Sequence, residues 1–322
     1  MIVTVTLNAA IDRTITVPNF QRGQRHRASA GLPLAGGKGI NIARALKTLG
    51  VPVVATGFVG GVTGTRIVER LTDEALLNDF VRIDGESRTS TAIVDPTGGT
   101  YTEIYEWGPS VTREELDFLL EKLHYLSQGA DLVVFAGSLP RDVDDAFYAE
   151  AVHDLARRQV PAVIACEGEP LRLAVEAEPL FVCPSQREAE ALVGQEFHDD
   201  EDFELGLERI VDLGARNVIV TTEDGCVASL RDGKDTLRLR ATAPRVEPVS
   251  AVAAEDVLLA GFLAARSAGR SSEDALRAGV AAGAASTLEL GAGRFDPRQA
   301  SRIQQGVEVG ELRVVRASTP AS

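Results

Sequence analysis

Short β-branched runs alternate with helical patterns along nearly the whole chain, and this alternation constrains the fold most. "IVTVTLN" precedes "GINIARALKTLG", "VPVVATGFVG" precedes "GTRIVERLTDEA", and "ADLVVFAG" precedes "DDAFYAEAVHDLARRQ". "PAVIAC", "PLFVCPS" and "RNVIVTT" repeat the unit. Parallel strands need crossover helices, which cover both faces of the sheet, so such strands read as unbroken apolar runs. The pattern predicts an α/β chain: a doubly wound sheet sandwiched between helices, in one domain over residues 1–322. With 44% apolar residues in 322, the chain has material for a core of that size.

Two segments break the rhythm. Residues 13–34 and 88–107 alternate apolar and polar side chains with turn residues between them and no intervening helix. "DPTGGT" reads as a hairpin turn. Together the segments predict a small antiparallel β lid projecting from the main sheet. After "ELRVVR" only the tail "ASTPAS" reads as loose.

Composition narrows the function. A net charge of −14 argues against a nucleic-acid or anionic-membrane surface, while leaving room for a local basic pocket. Cys166, Cys183 and Cys226 are scattered in strand-like runs and read as reduced core residues. The N-terminus lacks a basic segment followed by an apolar stretch, and no apolar run reaches membrane-spanning length. A cytoplasmic protein is expected. The four histidines show no metal-ligand spacing.

Lysine is scarce, so Lys38 in "LAGGKGINIARALKTLG" stands out. Gly37 and Gly39 flank it just ahead of an amphipathic helix with Asn41 in its first turn, where backbone amides favour an anionic or polar group. Alone, the motif reads first as a glycine-rich turn capping a helix. Asp12 follows the first strand, near the end where open α/β sheets bind ligands. Arg25, Arg27 and Arg88 suit a phosphate, which a guanidinium can grip with paired hydrogen bonds. Ser138 ends "FAGSLP". Each has a plainer reading: a turn, a solvated face, a cap. The same holds for "VSAVAAEDVLLAGFLAA". Asp256 is either a base at the head of a phosphate-binding helix or part of an ordinary start. In the second case Ser250 caps the helix, which begins early, and Glu255 and Asp256 complement its dipole.

Taken in order, "TLNAAIDRT", "GGKGINIARALKTLG", "ESRTST", "TEIYEWGP", "GSLPRDV" and "EDVLLAGFLAA" resemble the ribokinase-like, PfkB-type sugar kinases. The branch is that of 1-phosphofructokinase and tagatose-6-phosphate kinase. The resemblance implies a ribokinase-like αβα sandwich with a β lid that pairs two subunits, and MgATP-dependent phosphorylation of a ketohexose phosphate. Asp12, Gly37, Lys38, Gly39 and Asn41 would then hold the sugar. Arg25, Arg27, Arg88 and Ser138 would surround its phosphate, and Asp256 would be the base.

The nucleotide side departs from that pattern. The family's Gly-Ala-Gly-Asp step reads Ala253, Ala254, Glu255, Asp256, and its Asn-x-x-Glu step reads Ser185 to Glu188, with Glu188 the retained candidate for Mg²⁺. The strand end at Ala165 to Gly168 loses an acid, and the nucleotide-contact step falls at Val220 to Thr222, with Gly225 following. In the lid, Tyr105 and Trp107 replace Asn and Pro, and Trp107 reads as filling a subunit contact. Two expectations result. One is an ATP-dependent phosphosugar kinase attenuated at its anion hole. The other is an inactive relative that binds or senses a sugar phosphate.

Overall fold

The structure, a computed structural model, describes residues 1–312; the tail "ASTPAS" lies outside the described residues. In the central sheet the chain begins with β1 (Ile2–Thr6), continues after an excursion to β4 (Val53–Gly60) and β5 (Val81–Ile83), then returns to β8 (Leu132–Ala136) on the other side of β1. From there it steps outward through β9 (Ala162–Ala165), β10 (Phe181–Val182) and β11 (Val218–Thr222). All these neighbours pair in parallel. The winding direction reverses between β1 and β8, and at such a switch point the strand ends open a crevice.

Residues alternate across each strand. Leu132, Val134 and Ala136 of β8 face one core, and Val133 and Phe135 face the other. The first core is roofed by α1 (Lys38–Thr48), α2 (Gly61–Asp73), α8 (Ala254–Ser267), α9 (Ser272–Ser286) and α10 (Pro297–Gln304). The second is roofed by α3 (Arg113–Ser127), α4 (Phe147–Arg157), α5 (Gly168–Glu176), α6 (Gln186–Val193) and α7 (Asp200–Asp212). The doubly wound arrangement is therefore present, with ten strands in the main sheet.

The parallel rhythm does not run to the end. β12 (Gly225–Asp232), β13 (Asp235–Thr242) and β14 (Glu308–Glu311) extend the sheet beyond β11 as antiparallel strands. The two-residue turn Gly233–Lys234, with Gly233 at φ 62°, joins β12 to β13. Glycine at the first central position of a two-residue loop is the local signal for that hairpin.

The lid is a four-stranded sheet in the order β3 (Ala30–Gly36), β2 (Ala10–Thr16), β6 (Arg88–Asp95), β7 (Thr100–Tyr105). It corrects the expectation of a purely antiparallel sheet, because its central pair, β2 and β6, is parallel. Both strands leave the same end of the main sheet, one after β1 and one after β5, so they run outward together; only the returning strands β3 and β7 are antiparallel to them. The first lid segment also starts earlier and ends later than residues 13–34, at Ala10 and Gly36. "DPTGGT" is the β6–β7 turn, where the Asp95 carboxylate accepts from the backbone amides of Asn19, Phe20 and Thr97. The three cysteines are buried and free. Among the described residues, no helix is long and apolar enough to cross a membrane.

Candidate active site

The crevice at the ends of β1 and β8 gathers most of the polar groups singled out in the sequence, and Asn8 organises one side of it. Its Nδ2 donates to Ser138 Oγ at 3.1 Å, while its backbone carbonyl accepts from Arg88 Nε at 3.2 Å. Arg88 Nη1 also donates to Ser90 Oγ at 3.0 Å, and the guanidinium lies over the Tyr105 ring, 5.7 Å from its centroid. Arg88 and Ser138 thus converge although 50 residues separate them in sequence. The sequence reading passed over Asn8; its only signal was a polar residue directly after a buried strand.

Asp12 lies within lid strand β2, paired with Leu34 of β3, rather than at the end of the first strand. Burial pushes its carboxyl up to about 6 despite the opposing charges of Arg88 and Arg44 and a hydrogen bond from the Gly37 amide. Gly37, at φ 109°, joins β3 to α1; a Cβ there would lie 2.6 Å from Thr6 Cγ2. This close approach seats the start of α1, with Gly39, against the end of β1. Lys38, the first residue of α1, places Nζ 3.1 Å from Glu188 Oε1 and 3.9 Å from Glu255 Oε2. Burial works against its ammonium, but Glu188, Asp256 and Glu255 outweigh that and hold it protonated. One turn on, buried Asn41 donates Nδ2 to Asp256 Oδ2 at 3.0 Å.

The start of α8 corrects the expectation of an early, Ser250-capped helix. The helix begins at Ala254, and Ala253 before it sits at φ 62°, ψ 21°, the left-handed conformation that glycine adopts most easily. Alanine thus keeps a turn shape in which glycine would be less strained. Ser250 Oγ accepts from Val252 N at 3.4 Å, and no side chain caps the helix. First-turn amides have no intrahelical acceptors. The Ala254 amide turns back to the Ala251 carbonyl, which leaves those of Glu255 and Asp256 for an anion. Asp256 is buried, and that burial lifts its carboxyl to about 7 against the pull of Lys38 and Asn41. Burial also raises the pKa of Glu255, with Lys38 opposing it.

Ser185 and Glu188 cap α6 reciprocally. Ser185 Oγ accepts from the Glu188 amide at 3.3 Å, and Glu188 Oε2 accepts from the Ser185 amide at 2.6 Å. Ser185 forms a bridge to Thr221, the neighbour of Thr222. Thr222 donates to Asp224 at 2.8 Å. Gly225 packs under the Ala241 carbonyl, where a Cβ would lie 2.0 Å from the oxygen. Arg25 and Arg27 are exposed in the loop between β2 and β3. The Thr16–Ala30 pair that opens this loop lies about 13 Å along the strand from Asp12 at ~3.3 Å per residue. Within one chain these two arginines are not gathered with Arg88.

Both oxygens of Glu188 are engaged, one by Lys38 and one by the Ser185 amide. Among the described residues no three metal-ligating side chains form a group able to hold an ion. This donor set does not make a protein-built metal cage. It does fit a Mg²⁺ that arrives on a nucleotide, takes most ligands from phosphate and water, and needs one or two protein carboxylates.

A sugar-kinase architecture, with a β lid over a crevice containing a buried carboxylate at a helix start, has counterparts among known proteins. Residues 3–299 match the pfkB family carbohydrate kinases, and the chain belongs to that family. It is 32% identical to the 1-phosphofructokinase of Borreliella burgdorferi over 90% of this chain and 92% of that protein. It is 33% identical to the 1-phosphofructokinase of Bacillus subtilis over 92% and 96%, respectively. A solved Thermotoga maritima structure, described as a possible 1-phosphofructokinase, is 27% identical and covers 97% of this chain and 100% of its own, with a TM-score of 0.88. Phosphofructokinase-2 of Escherichia coli, solved with substrates and products, is 26% identical over 95% and 98%, with a TM-score of 0.86. The chain is thus a phosphofructokinase-like sugar kinase by descent.

Proposed function

We propose that this protein transfers the γ-phosphoryl group of ATP to a hydroxyl of a ketohexose phosphate such as fructose 1-phosphate. The observation that carries this reading is Asp256: a buried carboxylate held near pH 7 at the first turn of a helix with two free amides. A general base works best when its pKa lies near the operating pH, and free amides at a helix start can stabilise a transferring anion. MgATP supplies the phosphoryl group when bound. Asp256 accepts the proton of the attacking hydroxyl, and the Glu255 and Asp256 amides face the charge that develops. Lys38 adds positive charge, and Asp12 and Asn41 orient the sugar. Arg88 and Ser138 receive its existing phosphate, while Glu188 offers a carboxylate for the nucleotide's metal. Thr222 and Gly225 shape the strand end beside the nucleotide, with Ser185, Ala253 and Ala254 at the neighbouring helix starts.

Glu255 supports a second reading. Its carboxylate near Lys38 puts an anion of the protein's own beside the cation that a phosphoryl group would meet, which suits an attenuated kinase or a sugar-phosphate sensor. The lid is proposed to pair two chains, because β7 and the segment after it expose Tyr101, Ile104, Tyr105 and Trp107. A paired lid would also give Arg25 and Arg27 a phosphate to meet in a neighbouring site.

The test is calorimetric titration with MgATP, followed by turnover on fructose 1-phosphate, fructose 6-phosphate and tagatose 6-phosphate. Turnover that Asp256→Asn abolishes supports the kinase. Sugar-phosphate binding without MgATP binding or turnover overturns it in favour of the sensor.

A further inference from the structure

We propose that Arg44, anchored by Glu74, is a positioning residue that fixes the orientation of the Asn41 amide and thereby the hydrogen bond Asn41 donates to Asp256. The proposal rests on the reading of Asp256 as the base. Arg44 lies on α1 one turn beyond Asn41, and its residue is 6% exposed. A buried guanidinium is costly unless its donors are matched, and here all five are. Nε donates to Glu74 Oε2 at 2.6 Å, and Nη2 donates to Glu74 Oε1 at 3.1 Å and to the Ala35 carbonyl at 2.6 Å. Nη1 donates to the Ala292 carbonyl at 3.0 Å and to Asn41 Oδ1 at 3.3 Å.

The last contact carries the inference. An asparagine amide can sit in two orientations that differ only by exchanging oxygen and nitrogen. A guanidinium has donors and no acceptor, so it demands the Asn41 oxygen. The amide nitrogen must then face the other way, toward Asp256 Oδ2 at 3.0 Å. In the flipped orientation an N–H would face the guanidinium and a carbonyl would face the carboxylate, both unfavourable. Arg44 therefore excludes the flipped state, and Asp256 Oδ1 is left for the substrate hydroxyl. Ala35 lies beside the glycine turn, Ala292 between α9 and α10, and Glu74 at the end of α2. Arg44 thus sets Asn41 relative to three separate segments.

Arg44→Lys tests this with the positive charge kept. An ammonium can pair with Glu74 but cannot span Glu74, two carbonyls and Asn41 at once. The readout is the titration of the Asp256 carboxyl by ¹³C NMR. Asp256 is faced by Lys38 and Asn41 of α1, Asp12 of β2 and Glu255 of its own helix, and Arg44→Lys alters none of these side chains. The Asn41 bond favours the carboxylate, so freeing Asn41 should raise the Asp256 midpoint by about half a unit to one unit. Asn41→Leu should raise it at least as much, and the double variant no further, because both changes remove one bond. Where turnover is present, kcat should fall about tenfold or more, by a larger factor than KM for the sugar phosphate rises. If Arg44→Lys fails to fold, Glu74→Gln, which loosens the anchor, should give a smaller shift of the same sign. An unmoved midpoint in the folded variants, or shifts that add in the double variant, overturns the proposal. Wild-type protein without turnover overturns only the phosphoryl-transfer reading; the titration still decides whether Arg44 sets Asn41.

Discussion

Replacing Glu255 should make the protein a better kinase. In the structure Glu255 Oε2 lies 3.9 Å from Lys38 Nζ, and Glu188 Oε1 lies 3.1 Å from the same nitrogen. Two unit charges 3.9 Å apart attract by about 4 kcal/mol at an effective dielectric near 20. The Glu255 side chain is 48% exposed, so water screens the pair, and about 0.5–1 kcal/mol is a realistic share. A phosphoryl group approaching Lys38 competes with that attraction and also meets the repulsion of the Glu255 carboxylate. Glu255→Gln removes both while keeping side-chain size, and should raise kcat/KM for MgATP by about 2- to 5-fold. The assay is coupled ADP release at pH 7.5 with saturating sugar phosphate. Raising the salt should narrow the gap between variant and wild type, because the pair is partly solvated. Lowering the pH should narrow it too, since burial raises the Glu255 pKa and its charge is lost earlier than that of a free glutamate. An unchanged or lower kcat/KM in Glu255→Gln would refute the idea that Glu255 competes for Lys38.

Three further outcomes are expected. Turnover should rise with pH through about 7, as Asp256 loses its proton. The folded Asp256 holds a proton that the unfolded chain has already released, so its contribution lowers stability as pH rises from the ordinary aspartate range to about 7; Asp256→Asn should abolish turnover and flatten that decline in thermal melts. Arg88→Ala should weaken sugar-phosphate binding by about tenfold or more, the scale of a lost charge-assisted hydrogen bond, with little change in melting temperature; calorimetry showing intact affinity would remove Arg88 from the site. Ile104→Lys on the exposed lid strand should convert a lid-paired dimer to monomers in sedimentation, and an unshifted profile would place any subunit contact elsewhere.

The doubly wound frame was legible because its signal is local. Runs such as "LVVFA" are apolar on both sides, and the helices between them carry the longer period. The antiparallel edge was missed although the Gly233–Lys234 turn announced it, because β12 and β13 lack an intervening helix only when the turn is recognised. The lid was legible as strands but not in its pairing, since β2 and β6 are brought side by side from distant parts of the chain.

The candidate site divides in the same way. The glycine turn around Lys38 and the acidic start of α8 stand in the sequence, because backbone shape and helix termini select particular residues nearby. What "VAAED" does there was not legible: alanine prefers a right-handed helix, and only the packed structure holds Ala253 left-handed at φ 62° and leaves the next amides uncapped. Arg44 reads in sequence as one more charged helix residue; burial and five hydrogen bonds to α1, the end of α2, β3 and the loop after α9 set its place. Local sequence determined the periods, turns and helix ends, since those depend on neighbours a few residues away. The tertiary structure alone decided which charges meet: the Asn41–Asp256 bond spans 215 residues, and only folding creates the burial that lifts Asp256 toward neutrality.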